Sequence, residues 1–177
     1  MKKLLTTKGF VLALIGITIS STITAQNTRP SPAATASGKT KDGASVTINY
    51  SSPAVKGRKI WGELVPYDQV WRAGANEATL ITFDKEVKIE GKKIPAGKYS
   101  LYAIPGEKEW TIILNSATGQ WGINRDGTTT EDPAKDVLRV KVKPVKSSEF
   151  NERLTYMVDK GGIALYWENL KVPVEVK

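Results

Sequence analysis

Alternation of apolar and polar residues at a period of two, in short runs broken by glycine, proline and asparagine, constrains this chain more than any other feature. Successive side chains of a strand point to opposite faces, so each run reads as a strand with one buried side. In "SVTINY" (45–50) Val46, Ile48 and Tyr50 share one face, and Ser45, Thr47 and Asn49 the other. In "VLRVKVKPV" (137–145) Leu138, Val140 and Val142 face inward, with Arg139, Lys141 and Lys143 outward. "TLITF" (79–83) and "VKI" (87–89) read as a hairpin across "DKE". "KYSLYAI" (98–104) and "EWTIIL" (109–114) read as another across "PGEK", whose Pro and Gly suit a tight turn. "ERLTYMV" (152–158), a "DKGG" turn, "IALYWE" (163–168) and "LKVPVEV" (170–176) complete the set. About eight or nine short strands predict an all-β fold, an antiparallel β-sandwich or a jelly-roll-like arrangement. Pro173 has no N–H to give to a ladder, which predicts an edge position for the last strand.

The N-terminus reads as an address. Lys2, Lys3 and Lys8 precede an apolar run from Phe10 to Ile19, and "SSTITA" ends on the small Ala25 before Gln26. That order is a secretory signal peptide over 1–25, cleaved after Ala25. The apolar run is shorter than the ~20 residues of a membrane span, so no span is expected once the signal is removed. The chain is expected to work outside the cytoplasm, in the periplasm or released. Cleavage leaves 152 of 177 residues and lowers Lys+Arg from 26 to 23 against 18 Asp+Glu, a net charge of +5. Residues 26–43, rich in Pro, Ser, Thr, Ala and Gly, read as a flexible leader. Residues 44–177 then form one domain, long enough to bury a core without disulfides.

Composition removes several chemistries. The chain has no His and no Cys, so a Ser-His-Asp triad, a thiol nucleophile and a His-based metal site are all excluded. No glycine-rich phosphate loop appears, and no cofactor is expected. Arg139, Lys141, Lys143 and Lys146 lie on the outer side of a strand without interleaved aromatics, which reads as a solvated face rather than a nucleic-acid stripe. The polar interruption 115–136 gathers Asn124, Asp126, Glu131, Asp132 and Asp136. These are calcium-type ligands, but "NRDGTTTED" fails the EF-hand spacing, so a solvated acidic loop is the expectation and no metal is assigned.

The stretch 51–79 is different. It sets Arg58, Trp61, Trp71, Arg72, Asn76 and Glu77 between two strands, with Glu63, Tyr67 and Asp68 among them. A guanidinium, an amide, a carboxylate and indole faces are the chemistry that binds a small polar or carbohydrate-like ligand. In that reading Arg72 anchors, Asn76 and Glu77 orient, and Trp71 or Trp61 stacks, with Arg58 alongside. Two other readings use the same residues. One is a carboxylate-based hydrolase or lyase, pairing Glu77 with Glu63, Asp68 or Glu168 at the ~5–9.5 Å spacing of glycosidases. The other is a buried corner of a structural or partner-binding envelope protein, in which Arg72 pairs with Glu77 or caps backbone carbonyls while the indoles fill the end of the sandwich.

"SPAVKGRKIWG", "VWRAGANEAT" and "IPAGKYSLY" are long, distinctive motifs, and "LYWENLKVPVEV" closes the chain in the same style. Over about 45–176 the sequence resembles a family of secreted bacterial domains of unknown function, DUF2911. The resemblance implies an exported, mostly β domain behind a signal peptide. It implies no activity.

Overall fold

The computed structural model describes residues 29–177. The signal-peptide reading of 1–25 lies outside them. Ten strands follow in order: β1 (Ala33–Lys39), β2 (Ser45–Ser51), β3 (Thr79–Phe83), β4 (Val87–Ile89), β5 (Lys92–Ile94), β6 (Gly97–Ile104), β7 (Trp110–Asn115), β8 (Asp136–Val142), β9 (Val145–Asp159) and β10 (Gly162–Glu175). A single 3-10 turn at Pro133–Lys135 is the one helical piece among the described residues. The fold is all-β and antiparallel, as the alternation predicts.

Six strands form an open sheet in the order β1-β2-β3-β6-β7-β8, and β9 and β10 form a two-stranded ribbon. The core lies between these two layers. Ile48, Ile81, Leu101 and Ile112 of the sheet belong to the same buried cluster as Leu154, Tyr156, Leu165 and Val172 of the ribbon. Registers such as Ile48 opposite Ile81 and Ile81 opposite Tyr99 carry one apolar face across neighbouring strands. A slip of one residue would turn that face to water.

Three readings need correction. Part of the leader 26–43 is strand β1, paired with β2 along its whole length. Burial alternates along it, with Ala34, Ala36 and Gly38 turned inward, but "AATASGK" shows no apolar alternation because those inward residues are small. Gly38 is needed there: a Cβ would stand 2.5 Å from the Val158 carbonyl oxygen of the ribbon. The proposed hairpin of 79–83 with 87–89 does not form. β3 pairs with β2 and β6, while β4 pairs with β5. Asp84 ends β3 by accepting from the Ser45 N–H at 2.8 Å, and the true hairpin turns at Glu90 and Gly91, φ 46° and 81°. Two successive positive φ values match the twist of a two-residue hairpin. Finally, 163–168 and 170–176 are one strand. Register shifts around Glu168, φ 54°, change the phase, so Ile163, Leu165 and Trp167 face inward before them and Val172 and Val174 after. Pro173 lies beyond the last pairing of β10 with β9, Lys171 opposite Val145, where a missing N–H is harmless.

Candidate functional site

The connection from β2 to β3, residues 52–78, has no regular strand yet is firmly tied down. Trp71 exchanges both backbone hydrogen bonds with Ala103 of β6, at 2.7 and 2.9 Å. Onto β9, the Val55 N–H donates to Glu152 O, and the Leu154 N–H donates back to Pro53 O. Next to Trp71 the chain bends through Ala73, whose φ of 50° is left-handed and strained for alanine. The bend is held by the Ala73 carbonyl, which accepts from Thr79 Oγ1 at 3.0 Å and from Tyr156 OH at 2.7 Å. Burial, and then the neighbouring Tyr50, push the Tyr156 phenol well above its ordinary range, so it stays a donor. Gly74 follows where a Cβ would sit 2.7 Å from Thr79 Oγ1. This clamp fixes where Arg72 projects.

Arg72 lines a cavity of about 440 Å³. Leu64, Gln69 and Trp71 of the connection line it, with Thr129 from the 116–136 loop and Trp167 from β10. Beneath it four indoles pack together. Trp71 stacks on Trp167 with ring centroids 5.9 Å apart, and Trp61 meets Trp110 and Trp167 edge-on at 5.0 and 5.6 Å. Edge-to-face contacts of this kind add stability beyond area burial. The cluster is rich in donors and poor in acceptors. Nε and Nη1 of Arg72 and the indole nitrogens of Trp61, Trp110 and Trp167 are buried without a protein acceptor among the described residues. Burial draws the Arg72 guanidinium below its usual value, but a guanidinium remains ionised.

The sequence-predicted residues divide. Arg58, Trp71 and Arg72 line the cavity, and Trp61 lies in the indole layer below. Arg58 donates to the carbonyls of Val55 and Ala54 and so also braces the connection. Asn76 does not reach the cavity; it has a φ of 59° and spends its amide on Ser31 O and Ser51 Oγ, at 3.0 and 3.1 Å. Glu77 turns away, pairs with Arg29 at 2.7 Å, and borders a shallow hollow that holds no second carboxylate. The Arg72–Glu77 pair does not form. Of the carboxylates considered with Glu77, Glu63 pairs with Lys59 at 3.0 Å and Glu168 sits at the irregularity in β10. Sequence reasoning missed Gly122. A Cβ there would stand 2.9 Å from Arg72 Cβ and 3.0 Å from Asn76 O, and closer still to Arg72 Cδ. Its absence makes the groove in which the arginine lies. "QWGIN" carries no signal of this, because the contact joins distant segments.

The family model for a protein of unknown function, DUF2911, matches residues 31–176. The chain belongs to that family. Comparison with curated proteins and with solved structures finds no match.

Elsewhere in this DUF2911 domain the buried side-chain polar groups of the described residues are matched. The 116–136 loop covers the outer face of β6 and β7, where Ser100 Oγ donates to Ala117 O and Gln120 Nε2 to Tyr102 OH. Buried Asn115 bridges to Asp132 O and Asp136 Oδ1, both at 2.8 Å. Asp126 accepts from Thr128, Asp132 caps the 3-10 turn, and Glu131 and Asp136 both hold Arg139 at 2.6 Å. A wider groove of about 620 Å³ runs along β10, and its Lys141 and Glu109 also pair, at 2.6 Å.

Proposed function

We propose that this domain binds a small polar or carbohydrate-like ligand in the cavity lined by Arg58, Trp71 and Arg72, and that it does so outside the cytoplasm. One observation carries the reading: a half-buried guanidinium has two donors without a protein acceptor, beside a cavity walled by an indole. A buried charge lacking a partner is unfavourable by several kcal/mol, roughly. Folding alone gives no reason to keep it, whereas a ligand that completes it gives one. The strained Ala73 bend beneath agrees, since such strain gathers at binding sites.

The carboxylate-pair reading has less support, because Glu77 faces away from the cavity and its own hollow holds no other acid. The buried-corner reading needs Arg72 satisfied internally, and it is not. The extracytoplasmic destination rests on the N-terminal pattern and is tested by N-terminal sequencing of the exported protein, with Gln26 expected first. The ligand reading is tested by thermal shift across sugars, peptides and cell-envelope fragments. Wild type should gain melting temperature with at least one, and a folded Arg72→Ala variant should not. Identical behaviour of the two proteins across the whole panel would end the reading.

A further inference from the structure

We infer that the group completing this cavity is a carboxylate, carried on a body with a flat, weakly polar side. This rests on the ligand reading above and names the ligand's class. The cavity lining contains two guanidiniums, Arg58 and Arg72, and neither an aspartate, a glutamate nor a lysine. Neither arginine takes part in an ion pair among the described residues. The site is therefore positively charged. A neutral acceptor can take a hydrogen bond there, but only an anion also balances the charge.

The donors also bear on the shape of the anion. Arg58 already spends Nε and Nη2 on the Val55 and Ala54 carbonyls, whereas Nε and Nη1 of Arg72 have no protein acceptor among the described residues. A guanidinium offers coplanar N–H donors in a fork that fits the two oxygens of a carboxylate. A phosphate dianion is held by several cationic groups or by a run of backbone N–H groups, and no lysine joins Arg72 here. Beside the fork, Trp71, Leu64 and Val70 give the cavity an apolar wall against which a sugar ring or a peptide side chain can lie. An acidic sugar and a peptide C-terminus share this chemistry.

The experiment uses matched acid and neutral probes on the purified protein, read by calorimetry and by tryptophan fluorescence. D-glucuronate against D-glucose tests the sugar, and hippurate against hippuramide tests the peptide-like acid; inorganic phosphate is a third arm. At least one acid should bind about ten- to a hundredfold more tightly than its neutral partner, the range of one charge-assisted contact. The pair that responds identifies the body. Arg72→Lys keeps the charge but loses the fork, and should abolish most of that preference; the wild-type comparison stands even if this variant folds poorly. A neutral partner binding as tightly as its acid would overturn the carboxylate while leaving a ligand cavity. Phosphate binding more tightly than every carboxylate would overturn it in favour of another oxyanion. If no probe binds but the wider panel yields a neutral ligand, only this inference fails; if nothing binds in either experiment, both readings fail.

Discussion

The two long connections of this domain, 52–78 and 116–136, are both irregular and both polar, yet they settle their charges differently. In 116–136 the arginine that packs against the loop, Arg139, is held by Glu131 and Asp136, whose side chains are only 4% and 9% exposed. In 52–78 the arginine that packs against the indoles, Arg72, has Nε and Nη1 buried and unmatched. By residue type, 116–136 has the makings of a metal site, and it is a self-satisfied cover for β6 and β7. By the same measure, 52–78 suits a corner and a site equally well. Residue type alone does not separate a structural polar cluster from a binding one. Whether the buried donors are matched does.

That difference can be broken by substitution. The largest effect is expected from Arg139→Met, which leaves two nearly buried carboxylates facing each other. Stability should fall by about 2 kcal/mol, discounted for the partial exposure of the arginine, measured by urea denaturation. Gly122→Ala should cost about 1–2 kcal/mol, the lower part of the overpacking range, and should also displace Arg72, so that ligand-dependent thermal shift disappears with the loss of stability. Tyr156→Phe removes one of the two donors to the Ala73 carbonyl and should cost about 1 kcal/mol. Arg72→Met should leave stability unchanged or slightly raised in chemical denaturation, because it removes an unmatched buried charge. A loss comparable to that of Arg139→Met would mean that Arg72 is structural after all, and the contrast between the loops would vanish.

The smallest effect is a difference in sign with pH. Burial, then the charge of Asp136, raises the Glu131 carboxyl above the usual glutamate range. A raised folded-state value contributes stability below the unfolded value, and that contribution is lost as pH rises through the folded one. Glu77 is shifted the other way, lowered chiefly by its hydrogen bond from Arg29. Its contribution is present above the unfolded value and is lost as pH falls through the folded one. Melting temperatures taken from acidic to neutral pH should therefore rise for Glu131→Gln relative to wild type and fall for Glu77→Gln. The same slope in both variants would show that the two carboxylates do not differ in this way.

Much of the fold was legible because burial on one face leaves a period-two record in each strand. The β6–β7 hairpin, β8 and the β9–β10 hairpin follow from that record and from turn residues at their ends. β1 left none, since a strand of Ala, Ser, Thr and Gly is defined by its partner β2 and by the close approach of Val158 to Gly38. The pairing of β3 was misread because strands adjacent in sequence are expected to pair, whereas the Glu90–Gly91 turn had already joined β4 to β5. In the candidate site, the concentration of Trp and Arg marked the right segment. It could not show that Arg72 and Glu77 point apart.

The sequence by itself determined that this is a β domain of the DUF2911 family with a cluster of Trp and Arg between its second and third strands. Alternation, turn residues and motifs are local, and local order survives in a linear text. Only the tertiary structure decided that Gly122 opens a groove for Arg72, that Tyr156 pins the bend beside it, and that no carboxylate of the described residues pairs with the arginine. Those facts depend on segments far apart in the chain meeting within a few ångströms, and a donor is matched or unmatched only after they meet.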